Sequence, residues 1–405
     1  MQILIFSGII EKENRQVCKD FQNSKEIDQR LDTCNVPVFH TEQMAGSKKT
    51  AFLESCSFSS LPDSDSSLQQ VTNQQENTDM KRIVLFSALA IFAASCCNTV
   101  PKAYEGPHKV IIETDMGNDI DDALALAVAL KAANAGEIEL LAVGCHKMSE
   151  TPARYVDIVN TYYGQPQVES AMSLTPVKEY SSYEDYTAKP CEMGFAESKG
   201  GVYPEPVALY RKILAEAEDG SISFVSLGFG TTLAQLLDSQ ADDISPLTGK
   251  ELVAKKARTL SIMAGSYGEK KRAEYNVVND IPAMKKVFAE WPGEIIQNPF
   301  EIGKQVMFPG AEVEKNLGWE GLNPVVEGYK LYRPMPYDRP SWDILSVIYL
   351  LKPELFTKSV PGTVTVDDEG YTYFAPCESG KHYVLSATID QPQALKEYMV
   401  EMSVK

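Results

Sequence analysis

The chain has 405 residues, 38 of them basic and 56 acidic, for a formal net charge of −18. That balance excludes nucleic acid as a partner, because binding it needs positive surface to displace counterions from phosphates; it leaves room for a small nucleoside in a pocket. The 44% hydrophobic share is enough for a sizeable buried core. Eight cysteines form no C-x-x-C pair and only four histidines occur, so any metal site has to rest on oxygen ligands.

Residues 1–79 differ from the rest, with Ser, Gln, Asn and Asp clusters such as Ser57 to Gln75 and little periodicity. They are expected to be a disordered or wrongly translated upstream extension. Residues 80–96 carry the parts of a secretion signal: Met80-Lys81-Arg82, an apolar run from Ile83 to Ala94, then Ser95-Cys96-Cys97. The run is shorter than the roughly 20 residues that span a bilayer. Ala93-Ala94-Ser95-Cys96 resembles a bacterial lipobox, with Ala93 where Leu is more usual. The expectation is a start at Met80, a lipid on Cys96, and a periplasmic or outer-surface lipoprotein.

A third region, 108–405, reads as one domain. Val110–Glu113 is strand-like and Asp121–Ala135 is an Ala/Leu-rich helix. Strand-like Ile138–Gly144 and helical Thr151–Tyr163 follow, the latter with apolar residues near i, i+3, i+4 and i+7. Val207–Ala217, Ile222–Leu227, Thr231–Leu237, Thr259–Ala264, Ile281–Glu290 and Glu294–Gln297 continue the alternation. Ser181–Pro190 and Gly200–Pro206 read as loops. This βαβα order predicts an α/β fold, an open and mostly parallel sheet with helices on both faces. Gly362–Ile389 predicts a small additional β segment before a helix near Gln393–Met402.

Between the first strand and first helix lies Glu113-Thr114-Asp115-Met116-Gly117-Asn118-Asp119-Ile120-Asp121-Asp122-Ala123, with five carboxylates in ten residues. Ligands of open α/β sheets bind beyond the carboxyl ends of strands, so the place suits a site. Two carboxylates about 4 Å apart repel by roughly 4 kcal/mol at an effective dielectric near 20, so several can share a pocket only with a cation. A helix N-terminus accounts for one or two acids, but not for Asp115, which precedes a turn-permitting Gly. The glycine and closing glutamate of an EF-hand loop would fall on Ile120 and Leu126, which excludes that motif. A phosphatase of the haloacid dehalogenase type fits poorly, since Glu113 stands where its nucleophilic Asp belongs.

The stretch resembles the D-x-D-x-G-x-D-D-A signature of the inosine-uridine-preferring nucleoside hydrolase family. Three more segments appear in the family's order: Ser223 to Ala234 with its Gly turn, Met263-Ala-Gly-Ser-Tyr267 followed by Ala273-Glu-Tyr-Asn276, and Pro340-Ser-Trp-Asp-Ile344. The resemblance implies calcium-dependent cleavage of the N-glycosidic bond of ribonucleosides. Ca²⁺ would be held by Asp115, Asp122, Asp343 and the Leu227 carbonyl, with Asp119 a rival to Asp122. Asp115 would be the general base, and Asp121, Glu274 and Asn276 would hold the ribose. Trp342 replaces the His of one family branch and implies stacking on a purine. No Asn follows the second strand, so His146 or Lys147 takes that space. The other functional readings are capture of nucleosides by a lipoprotein without turnover, and hydrolysis of another riboside. Self-association into a homo-oligomer is compatible with all of them.

Overall fold

The computed structural model describes residues 106–177, 186–318 and 321–404. The extension 1–79 and the signal-like segment with Cys96 lie outside the described residues. The domain begins with β1 (His108–Thr114), α1 (Asp121–Asn134), β2 (Ile138–Cys145), α2 (Glu150–Tyr162), β3 (Glu169–Met172), α3 (Ala188–Glu192) and α4 (Pro206–Glu216). It continues through β4 (Ile222–Ser226), α5 (Thr231–Asp238), α6 (Gly249–Lys256), β5 (Ala257–Met263), α7 (Tyr275–Asn279), α8 (Ile281–Glu290) and β6 (Glu294–Asn298). The last part comprises α9 (Phe300–Gln305), β7 (Met307–Phe308), α10 (Gly310–Leu317), α11 (Pro324–Tyr332), β8 (Arg339–Pro340) and α12 (Trp342–Leu351). It ends with β9 (Thr357–Lys358), β10 (Gly362–Val366), β11 (Thr372–Pro376), β12 (His382–Ser386) and α13 (Gln391–Val404).

The main sheet runs β11-β10-β12-β6-β5-β4-β1-β2-β3, with β9 on β12. β1 to β6 pair in parallel. Strand order reverses beside β1: β2 and β3 extend to one side, β4 to β6 to the other. The carboxyl ends of β1 and β4 therefore flank the switch-point crevice where open α/β sheets hold ligands. Asp115 follows β1 directly and Leu227 follows β4 directly.

Alternation along the strands explains the two layers. Val110 and Ile112 belong to one buried cluster, with α1, α2, α12 and α13. Ile111 belongs to a second, with α4, α5 and α8. Phe224 and Val225 of β4, and Ile295 and Ile296 of β6, divide in the same way. Successive side chains point to opposite faces, so a central parallel strand must be apolar on both. α1 is apolar nearly all round because α12 and α13 cover the side that the sheet does not.

The predicted elements fall within a residue or two of those observed, and Ile281–Glu290 coincides with α8. The expected C-terminal β segment is present as β10, β11 and β12. β12 pairs in parallel with β6, and β10 and β11 add on antiparallel, so it continues the main sheet. Ala188–Pro190, expected in a loop, begin α3, while 178–185 lie outside the described residues. β3 carries no sequence signal because Glu-Ser-Ala-Met lacks the β-branched and aromatic residues that favour strands.

Candidate active site

The β1–α1 loop turns at Gly117, whose φ of 98° is open to glycine at little cost. It delivers Asp115, Asp121 and Asp122 to one place, all nearly fully buried. Asn118 Nδ2 donates to Asp115 Oδ2 at 2.6 Å, and Lys147 Nζ donates to Asn118 Oδ1 at 2.6 Å. Thr114 Oγ1 donates to Asp122. Burial pushes the Asp115 carboxyl up to about 6, against the pull of Lys147. Burial, then repulsion from Asp115 and Asp121, holds Asp122 well above the usual carboxylate range. Asp343, at the first turn of α12, is held up likewise by burial and then by Asp121 and Asp122.

Asp121 is engaged differently. Arg339 donates to its Oδ1 from Nε at 3.1 Å and from Nη2 at 2.8 Å, and the Asp343 N–H donates to Oδ2 at 3.3 Å. Arg339 also pairs with Asp119 at 2.6 Å, and Tyr332 Oη donates to Asp119 at 2.8 Å. Asp121, expected to hold ribose, borders the cavity but has both oxygens committed to these donors. Asp119, the rival metal ligand, is likewise committed to Arg339 and Tyr332.

The remaining predicted residues meet the loop from other strands. Asn276 Nδ2 donates to the Leu227 carbonyl at 2.8 Å and to the Met263 carbonyl at 3.1 Å, bridging the ends of β4 and β5. Glu274 caps α7, accepting from Asn276 N at 3.0 Å and Gly265 N at 3.2 Å, and burial raises it to about 7. Asp115, Asp121, Asp122, Leu227, Glu274, Asn276, Trp342 and Asp343 all line one cavity of about 310 Å³. Four segments far apart in sequence thus converge on one pocket at the switch point.

Residues 110–394 match the family described as inosine-uridine preferring nucleoside hydrolase. The chain belongs to that family. Its enzymes are nucleoside N-ribohydrolases, and this hydrolase is one of them. The fold is shared with a plant nucleoside hydrolase at 20% identity and a TM-score of 0.54, covering 73% of this chain and 98% of that one. An inosine-guanosine nucleoside hydrolase is similar at 18% identity and a TM-score of 0.56, covering 73% and 97%. An inosine-uridine preferring nucleoside hydrolase from Bacillus anthracis follows at 18% and 0.53, covering 73% and 99%. No curated protein matches the chain by sequence.

The family is metal-dependent, and the donors of this hydrolase suit a hard cation: three carboxylates and a carbonyl bordering one cavity. Among the described residues, no three His, Cys, Asp or Glu side chains are drawn together into a coordination shell as they stand. The chemistry of the donor set fits an ion such as calcium, and an ion would offset the burial, and then the mutual repulsion, that hold Asp122 and Asp343 toward their neutral forms.

Several residues of the site escaped the sequence. Phe300 and Arg272 line the cavity. The Phe300 ring stacks on Trp342 at 5.3 Å and 27°, and the Arg272 guanidinium lies 3.8 Å from the Phe300 centroid. Trp342 is half-buried; its Nε1 donates to the Phe300 carbonyl at 2.9 Å, and the Arg339 guanidinium lies 5.1 Å from its ring. The indole therefore carries packing contacts in addition to its place on the cavity wall. Arg339 stands two residues before the recognised Ser341-Trp342-Asp343 and bore no signal of its own. Of the two candidates for the space after β2, Lys147 reaches Asn118, whereas His146 is buried and accepts from the Phe229 N–H at 2.8 Å.

Proposed function

We propose that this hydrolase is calcium-dependent and prefers purine ribonucleosides, releasing ribose and the free base. The observation that carries this reading is the single cavity to which four segments contribute carboxylate or carbonyl oxygens, with an aromatic pair on its wall. Asp115, Asp122, Asp343 and the Leu227 carbonyl would hold the ion. Bound there, it would engage the ribose hydroxyls and lower the pKa of a water. Asp115, raised to about 6 by burial, is suited to accept that water's proton near neutral pH. Positive charge grows on the sugar as the glycosidic bond lengthens. Glu274 lies buried along the cavity to oppose it, and Asn276 fixes the Leu227 carbonyl while facing the sugar. Trp342 and Phe300 offer aromatic surface to the departing base.

A panel of purine and pyrimidine nucleosides, scored for free ribose with and without a chelator, tests this reading. Ribose from inosine that disappears on chelation and returns with calcium is expected. Nucleoside binding without ribose release would instead favour capture without turnover. We propose further that the protein is a lipoprotein starting at Met80 and anchored through Cys96, on the signal-like composition of residues 80–96.

A further inference from the structure

Glu113 lies two residues before Asp115 and points into the other layer of the sheet. Its side chain is fully buried, level with Gly144 of β2 and Ser226 of β4. An isolated carboxylate is costly in such a place, where an apolar residue would pack at no such cost. The His146 ring lies beside it, with Nε2 at ion-pairing distance, 3.5 Å, from Glu113 Oε2 and no hydrogen bond of its own, and the Tyr210 hydroxyl faces the same carboxylate. Gly144 leaves the space that the Tyr210 hydroxyl fills on the same face.

The other ring nitrogen fixes what His146 does. Nδ1 accepts from the Phe229 N–H at 2.8 Å, so the proton of the neutral ring sits on Nε2 and faces Glu113. Phe229 is the last residue of the Leu227-Gly228-Phe229 turn. The first residue is tied to β1 through Leu227 N–H to the Glu113 carbonyl at 2.8 Å. Between them, a Cβ on Gly228 would lie 2.8 Å from Asp115 N and 2.9 Å from His146 Nδ1. The turn that presents the Leu227 carbonyl is thus clamped between Asp115 and the His146 ring.

We propose that His146 and Glu113 form a buried positioning pair that sets the Leu227–Phe229 turn against Asp115 and thereby tunes the affinity of the ion site. It rests on the calcium reading above. Glu113 orients the ring, the ring holds the Phe229 N–H, and the turn holds the Leu227 carbonyl at its distance from Asp115. Partners that orient metal ligands from behind typically contribute about 10- to 100-fold in metal affinity or activity.

The test is calorimetric titration of calcium into metal-stripped full-length protein, wild type beside His146→Leu and Glu113→Gln, with melting temperatures measured without calcium. A 10- to 100-fold weaker affinity is expected for His146→Leu. Glu113→Gln, which keeps the shape and an acceptor for Nε2–H, should lose affinity in the same direction by less. Variants that melt lower yet bind calcium as the wild type does would overturn the proposal, since a purely structural role would act on stability alone. If His146→Leu does not fold, Glu113→Gln decides by the same criterion. Wild-type protein that takes up no calcium would overturn the calcium reading itself, a result distinct from wild type and variants binding equally.

Discussion

Arg339 is 4% exposed and holds Asp121, which is fully buried, along with Asp119. Removing one partner of a buried pair leaves an uncompensated charge and typically costs about 3–5 kcal/mol. Arg339→Met should lose that order of stability in urea unfolding without calcium, and Arg339→Met/Asp121→Leu should recover part of it. Full stability in the single variant would show that the pair is dispensable. Asp343→Ala should abolish calcium uptake, measured by elemental analysis, and activity on every nucleoside. Trp342→Ala should keep the ion, since no ligand is removed, and lose activity mainly on purine nucleosides. Base stacking worth roughly 1–3 kcal/mol corresponds to a loss of about 5- to 150-fold in kcat/KM. Because Trp342 also stacks on Phe300, its melting temperature should fall as well. The decisive readout is therefore the ratio of kcat/KM for inosine and uridine; an unchanged ratio would make Trp342 a packing residue only.

The sheet extension carries its own pH sensitivity. His382 opens β12 and pairs across from Gly362 of β10. Its Nδ1 accepts from the Val364 N–H at 3.0 Å, and its ring packs 5.8 Å from that of Phe288. Burial lowers its pKa from 6.5 to about 4. Between those values the unfolded chain binds the proton that the folded chain refuses, so stability rises with pH. The contribution is complete above pH 6.5 and is lost as pH falls toward 4, on the order of 3 kcal/mol in all. Stability of the wild type minus that of His382→Gln should shrink across this window. A difference that stays flat from pH 7 to 4 would show that His382 protonates freely in the fold.

At the scale of the whole molecule, the sheet, both core layers and all the cavity residues fall between His108 and Val404. A chain of residues 106–405 should therefore fold cooperatively and hydrolyse nucleosides within about twofold of the full-length rate, a difference of under half a kcal/mol. A truncated chain that is unfolded or inactive would give the first 105 residues a part in the domain. The export proposal is tested on native protein by mass spectrometry and fractionation. A membrane-associated product lacking 1–79 is expected, and peptides from Glu26 to Gln75 would refute it.

The sequence by itself determined the alternation of strands and helices, because apolar runs and Ala/Leu-rich segments follow from which faces must be buried. It also determined the family, because an acid-rich turn after a strand, a Gly turn, Glu274 with Asn276 and Trp342 with Asp343 each keep their local spacing. Only the tertiary structure decided which acids are committed elsewhere. Arg339 is separated from Asp121 by more than two hundred residues, and no local pattern announces that its guanidinium takes one oxygen of the carboxylate expected to face ribose. The same holds for Phe300 against Trp342, and for His146 facing Glu113 and not the cavity. Side-chain partners across strands depend on sheet order and register, which pairing between distant segments sets, whereas strand and helix patterns depend on neighbours along the chain.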